Sequence, residues 1–162
     1  MQKLSATYVG ENKECERRIV SGKLIVELIP QGTFAERIRA GGAGIDGFFT
    51  PTDFGTVVAE GKEMRDFDGR PHVFERGLRA DYAFVKGWHG DDAGNLCYHR
   101  TARNFNSVMA CAGRVTIAEV EELLPRGRLD SEAVVTPGIY VQHVIQGSLY
   151  ERRVEKRTVR RD

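Results

Sequence analysis

The order of apolar and polar positions divides the chain into short elements, punctuated by glycine and proline rather than by any long linker. Lys3 to Val9 reads as a strand. Asn12 then reads as the cap of a helix running to about Ser21, with Glu14 and Glu16 in the first turn, where the helix dipole favours acids, and Gly22 as its stop. Leu24 to Ile29 predicts a second strand. Pro30, Gln31 and Gly32 predict a turn. Thr33 and Glu36 make a T-x-x-E capping box for a short helix with Phe34 and Ile38 one turn apart, which Gly41, Gly42 and Gly44 are expected to break.

Further on, the charged stretch Glu63 to Glu75 centres on Phe67-Asp68-Gly69 and predicts a surface hairpin with an Asp-Gly turn. Tyr82 to Lys86 reads as a buried apolar strand, Leu96 to His99 as another and Val115 to Val120 as a third, with Asn104 to Cys111 helical in composition between the last two. Strands alternating with helices predict an α/β fold, a mostly parallel sheet flanked by helices, whose ligands lie beyond the carboxyl ends of the strands. With 162 residues and no internal repeat, one domain over 1–162 is expected.

Composition adds limits. Hydrophobic residues at 41% and charged residues at 29% match a soluble globular chain, and a net charge of +1 gives no overall field to gather nucleic acid or an anionic membrane. The charge is uneven: the tail 150–162 holds six Arg and Lys against three acids, and its like-signed pairs Glu151/Glu155 and Arg153/Arg157 predict an edge strand or solvated arm. Cys15, Cys97 and Cys111 lack the spacing of a disulfide framework or zinc site, which fits a reducing compartment. No apolar run approaches a membrane span and no signal-peptide core opens the chain, so a cytoplasmic protein is expected.

Several segments could carry chemistry. Gly41-Gly42-Ala43-Gly44 lets backbone approach a ligand closely, or serves as a plain turn; it is neither a P-loop nor a dinucleotide fingerprint. Glu11-Asn12, between a strand and a helix, is where an α/β protein places a working carboxylate, although Asn12 reads equally as a cap. The Gln31 amide could donate to a developing oxyanion or be solvated. His89 with Asp91 and Asp92, and Cys97 with His99, lack the further ligands or base that a metal or nucleophilic site needs and are assigned to loop and strand surface.

Together, the ordered segments are more specific than any one. Tyr8-Val9-Gly10-Glu11-Asn12-Lys13-Glu14, Pro30-Gln31-Gly32-Thr33, Ala35 to Gly44, Phe49-Thr50-Pro51-Thr52, Ala59-Glu60-Gly61-Lys62-Glu63, Ala93-Gly94-Asn95-Leu96, Thr101 to Asn106 and Thr136 to Val141 resemble one of the two polypeptides, the A-type subunit, of the succinyl-CoA:3-oxoacid CoA-transferases. The resemblance implies the NagB/RpiA/CoA-transferase-like fold, a B-type partner subunit in a heterodimer or heterotetramer, succinyl-CoA and a 3-oxo acid such as acetoacetate as substrates, and a place in ketone body metabolism. It implies no metal and no cofactor, the CoA thioester being a substrate.

In the family, a glutamate of the B-type subunit, within Ser-Glu-Asn-Gly, forms a mixed anhydride and then a glutamyl-CoA thioester. That motif is absent here. Gln31 matches the A-type glutamine that binds the oxyanion. Gly41, Gly42, Ala43 and Gly44 match the loop lining the acyl pocket, and Glu11-Asn12 resembles the pseudo-equivalent of the nucleophile's position. Asp46-Gly47 departs from the family's proline and alanine, and either alters substrate choice or faces solvent.

The family's glycine-rich opening segment has no counterpart, so an N-terminally incomplete fold with weakly cooperative unfolding is expected. A 3-oxoadipate CoA-transferase polypeptide of the same A type and a non-catalytic remnant are the alternative readings.

Overall fold

The computed structural model describes residues 2–10 and 12–148, which excludes Glu11 and the basic tail, and the chain divides into two compact units. In the first, strand β1 (Gln2–Ala6), helix α1 (Lys13–Val20) and strand β2 (Leu24–Leu28) form one βαβ turn, the strands parallel and in register from Gln2↔Leu24 to Ala6↔Leu28. Asn12 caps α1 as its sequence predicts, its Oδ1 accepting from the Cys15 N–H at 3.0 Å. Glu14 is clasped by Arg17 and Arg18, both at 2.7 Å, and these guanidinium hydrogen bonds hold its carboxyl at about 2. Gly22, at φ +69°, takes the left-handed turn that ends the helix.

The second unit, residues 30–147, opens with helix α2 (Gln31–Gly42), and here the structure departs from the expected order. Gln31 is the first helical residue rather than part of a turn, with Pro30, at φ −53° and ψ 138°, as the non-helical N-cap. Thr33 therefore lies inside the helix, and the capping box does not form. Glu36 instead takes both its hydrogen bonds from Arg39, at 2.6 and 2.8 Å, which hold its carboxyl below the usual range.

Strands β3 (Gly47–Thr50), β4 (Met64–Phe67) and β5 (Arg70–Arg76) form an antiparallel sheet in the order β3-β5-β4. The β4–β5 turn is the expected Asp-Gly hairpin. Asp68 at φ 52° and Gly69 at φ 75° give both central residues the positive φ of a type I′ turn, which matches the strand twist. Only part of the hairpin is a surface feature, since β4 is exposed throughout whereas β5 buries Val73 and Glu75.

Glu75, 2% exposed, is held by Lys62 at 2.5 Å and by Arg37 of α2 at 3.8 Å. Asp53 lies in the same electrostatic field. Its Oδ2 is buried without a partner among the described residues, and burial first, then the Glu75 charge, pushes its pKa up. Such a carboxyl binds protons more tightly folded than unfolded, so its contribution to stability falls as pH rises from the ordinary carboxylate range through the raised folded value. Asp53→Asn is expected to raise the melting temperature at pH 7 and to flatten that fall. Asp53→Gly, which also relieves the left-handed φ of 72°, should add about 1 kcal/mol. Parallel melting curves for wild type and both variants from pH 4 to 8 check this.

The remaining strands, β6 (Ala80–Asp91), β7 (Leu96–Cys97), β8 (Gly113–Leu124) and β9 (His143–Gln146), form a four-stranded sheet in the order β7-β6-β8-β9. β6, β8 and β9 are parallel and β7 antiparallel, so the unit is mixed α/β. Helix α3 (Asn106–Ala112) falls where the composition placed it and contributes Ala110 to a core with Val85, Leu96, Ala118, Val120 and Val141. The run Tyr82 to Lys86 is not buried on both faces. Ala83 and Val85 are buried, whereas Tyr82 and Phe84 are 57% and 68% exposed, the period-2 alternation that a pleated strand imposes. Cys97 likewise sits in the core rather than on the surface.

Two of the sequence motifs interlock. The buried Asp91 carboxylate accepts from the backbone N–H groups of Ala93 and Asn95 and from the Asn95 carboxamide, all within 3.0 Å, and Asn95 Oδ1 accepts from Gly138 N–H at 2.9 Å. Gly138 packs so closely that a Cβ there would collide with the Ala93 carbonyl. Leu96 and Thr136 exchange backbone hydrogen bonds across this junction, at 2.9 and 3.2 Å. Ala93-Gly94-Asn95 and Thr136-Pro137-Gly138 are therefore the two halves of one structural clasp.

Candidate functional site

Helix α2 carries Gln31 at one end and the glycine run at the other, roughly 16 Å apart by helical rise. One acyl group cannot touch both ends. They also differ in chemistry, because a helix offers free N–H groups and partial positive charge at its start and free carbonyls at its finish.

Gln31 stands exposed at the start, and its side chain has no hydrogen-bond partner among the described residues. Pro30 supplies no side-chain acceptor and the first turn holds no acid, so among the described residues the first N–H groups and the dipole remain uncompensated. An oxyanion or carboxylate is the natural complement of that end. Thr33, third in the helix, is 4% exposed and its Oγ1 also lacks a partner among the described residues.

The glycines at the finish are there for packing. Gly41 and Gly42 do not break α2 but complete it: a Cβ on Gly41 would collide with the Leu78 backbone, and one on Gly42 would lie 3.0 Å from Cys111 Cβ of α3. Helix α2 ends at Ala43, and Gly44, at φ +78°, turns the chain away. Gly41→Ala should therefore lower stability by about 2 kcal/mol through overpacking against rigid backbone, read as a shift in the urea midpoint at constant m.

An open cavity of about 680 Å³ does lie beside Gly41 to Gly44. Its other walls are Arg79 to Asp81, where β6 begins, and Cys111 to Arg114, where α3 ends and β8 begins. The finishes of α2 and α3 thus both face it, and it sits at the amino ends of the strands, opposite to where α/β folds hold their ligands. Its cations are already engaged: Arg79 Nε donates to the Gly41 carbonyl at 2.9 Å, and Arg114 lies 3.4 Å from Asp81. Burial pushes the Cys111 thiol pKa up, away from a reactive thiolate. Asp46 is exposed to solvent.

Of the other candidates, Asn12 is committed to capping α1, and Glu11 lies outside the described residues. His89 stacks on Trp88 at 3.8 Å and reaches Glu122 at 3.4 Å. Among the described residues no three His, Cys, Asp or Glu side chains converge as metal ligands, and no helix is long and apolar enough to cross a membrane.

Sequence reading gave no role to the N-terminal end of α3. The Phe34 and Phe105 rings meet edge to face at 6.1 Å, and Gly42 meets Cys111 eight residues further along α2, so α2 and α3 run parallel with their starts together. Thr101 to Asn106 is thus brought to Phe34, one helical turn along α2 from Gln31. Only the place of that run in a larger set of motifs could have signalled this.

Comparison with known proteins identifies the family. The family model described as "Coenzyme A transferase" matches residues 1–147. A Bacillus subtilis protein, named as the A-type subunit of a probable succinyl-CoA:3-ketoacid coenzyme A transferase, is 58% identical over 98% of this chain and 67% of its own length. The Xanthomonas campestris (strain B100) protein, named as the same subunit of a succinyl-CoA:3-ketoacid coenzyme A transferase, is 53% identical over 99% of this chain and 66% of its own. The chain thus spans about two thirds of the length of these relatives.

Among solved structures, an Escherichia coli O157:H7 acyl-CoA transferase superposes with a TM-score of 0.79 at 19% identity, covering 88% of this chain and 32% of that one. Glutaconate coenzyme A-transferase from Acidaminococcus fermentans superposes with a TM-score of 0.78 at 16% identity, covering 90% and 55%. The fold, the family match and the identity to A-type chains agree, and this chain belongs to the coenzyme A transferase family, among its A-type subunits.

Proposed function

We infer that this chain is the A-type subunit of a succinyl-CoA:3-oxoacid CoA-transferase and that it contributes the oxyanion end of an active site whose nucleophile is a glutamate of the B-type subunit. The observation that carries the reading is the 58% identity to the Bacillus subtilis chain, spread over 98% of this one. The bacterial relatives' names favour the 3-oxoacid reading over 3-oxoadipate.

The chemistry assigned to the pair is a ping-pong exchange. The glutamate carboxylate adds to the thioester carbonyl of succinyl-CoA, and the C–S bond breaks to give CoA thiolate and a glutamyl-succinyl anhydride. The thiolate then adds to the glutamyl carbonyl and releases succinate, leaving a glutamyl-CoA thioester. The acid acceptor reverses both steps and departs as its CoA ester. Each addition puts a negative charge on a carbonyl oxygen, and the uncompensated start of α2 with the Gln31 carboxamide is built to accept that charge.

The test is to co-express the chain with a B-type subunit bearing Ser-Glu-Asn-Gly and to follow acetoacetate-dependent consumption of succinyl-CoA. Transfer to acetoacetate by the purified pair, faster than to 3-oxoadipate, is expected. Absence of transfer by a correctly assembled pair overturns the reading.

A further inference from the structure

The turn that leads into α3 holds an outlier. Asn104 has φ 37° and ψ −126°, followed by Phe105 at φ −83° and ψ −9°. These are the two central conformations of a type II′ turn, whose first position normally takes glycine because a Cβ is strained there. The turn alone would be served better by glycine.

The neighbouring asparagine shows what a structural role looks like in this segment. Asn106 uses its whole carboxamide internally, Oδ1 accepting from the Lys86 N–H at 2.9 Å and Nδ2 donating to the Ala102 carbonyl at 2.9 Å. Asn104 does the opposite: it is exposed, and its side chain has no hydrogen-bond partner among the described residues. Its backbone N–H alone is committed, to the Thr101 carbonyl at 3.1 Å. A strained backbone that presents an unused amide is unaccounted for by folding.

Its position supplies the account. Phe105 packs edge-on against Phe34 at 6.1 Å, and Gln31 lies one turn before Phe34 on the same face of α2. Two exposed, uncommitted carboxamides, Gln31 and Asn104, thus occupy one corner, where the start of α2 leaves its N–H groups open. Arg100 and Arg103, both exposed on the turn just before Asn104, bring positive charge to its flank.

We propose that Asn104 is a second catalytic amide donor, paired with Gln31, which hydrogen-bonds the acyl oxygen that turns anionic when a carboxylate or thiolate adds to it. This rests on the transferase reading above. Two donors from different elements define the direction of the oxyanion more closely than one glutamine alone.

The strain makes the test clean. Asn104→Gly in the complex with the B-type subunit removes the carboxamide and relaxes the turn, so a purely structural Asn104 predicts unchanged or higher thermal stability with unchanged turnover. The donor assignment predicts unchanged or higher stability with kcat lower by ~10²-fold and KM for acetoacetate within about threefold. Asn104→Asp keeps shape and turn but replaces the amide by a carboxylate, and should lower kcat at least as far. Wild-type turnover in Asn104→Gly overturns the assignment. So does a loss that appears only as KM, or one that tracks a fall in melting temperature. If the wild-type pair itself transfers no CoA, the transferase reading fails first, before any variant is compared.

Discussion

Replacing Gln31 by alanine in the assembled pair is expected to lower kcat by roughly 10²-fold, the usual effect of removing one oxyanion donor. The KM for either acid should barely move, because a neutral carbonyl gains little from the donor until charge develops on it. Gln31→Glu separates chemistry from folding. A carboxylate at the first position of α2 complements the helix dipole, so stability should hold or rise by about 0.5 kcal/mol. In catalysis the same carboxylate faces a developing negative charge, and kcat should fall further than in the alanine variant. If both variants retain wild-type turnover, Gln31 is a solvated helix residue and the oxyanion site lies elsewhere.

The second large effect concerns stability. Glu75→Ala is expected to destabilise the chain by about 3 kcal/mol, because it removes the buried carboxylate that both Lys62 and Arg37 reach. The lower end of the range for buried pairs applies, since the cations keep 27% and 15% of their side-chain exposure and can turn partly to water. Glu75→Gln preserves the volume and should cost less, the difference measuring charge rather than packing. Urea unfolding followed by far-UV circular dichroism gives both values. A cost below about 1 kcal/mol for the alanine variant, the size of an exposed pair, would show that the clasp between α2, β5 and Lys62 is incidental.

What the sequence revealed depended on how local the cause was. The Asn12 cap and the Asp68-Gly69 turn are legible because each is settled by neighbouring residues, through one side chain or one sign of φ. Gly41 and Gly42 are not, because the same missing Cβ marks a helix stop and a close approach, and the deciding neighbours, Leu78 and Cys111, are distant in sequence. Tyr82 and Phe84 read as core because hydrophobicity does not say which face of a strand is covered.

Gln31 is singled out as a possible donor by its side chain and its place after Pro30, and the resemblance favours that role; the structure adds that it sits at the uncompensated start of α2. Asn104 was visible only as one letter of a motif. Its unusual dihedral angles, and the contrast with the fully engaged Asn106, exist only in three dimensions.

The clasp between the β6–β7 turn and Gly138 also bears on how the chain reaches its native state. Parallel neighbours need a crossover, usually a helix, yet the link from β8 to β9 contains only the 3₁₀ turns Ser131–Ala133 and Gly138–Tyr140. With no helix to organise that link, its ordering waits on contacts between residues far apart in the chain, such as Leu96 with Thr136, which carry a high loop-closure cost. Strand β9 should then be the last part of its sheet to acquire protection during refolding. The local turn into α3, from Arg103 to Asn106, can form before it.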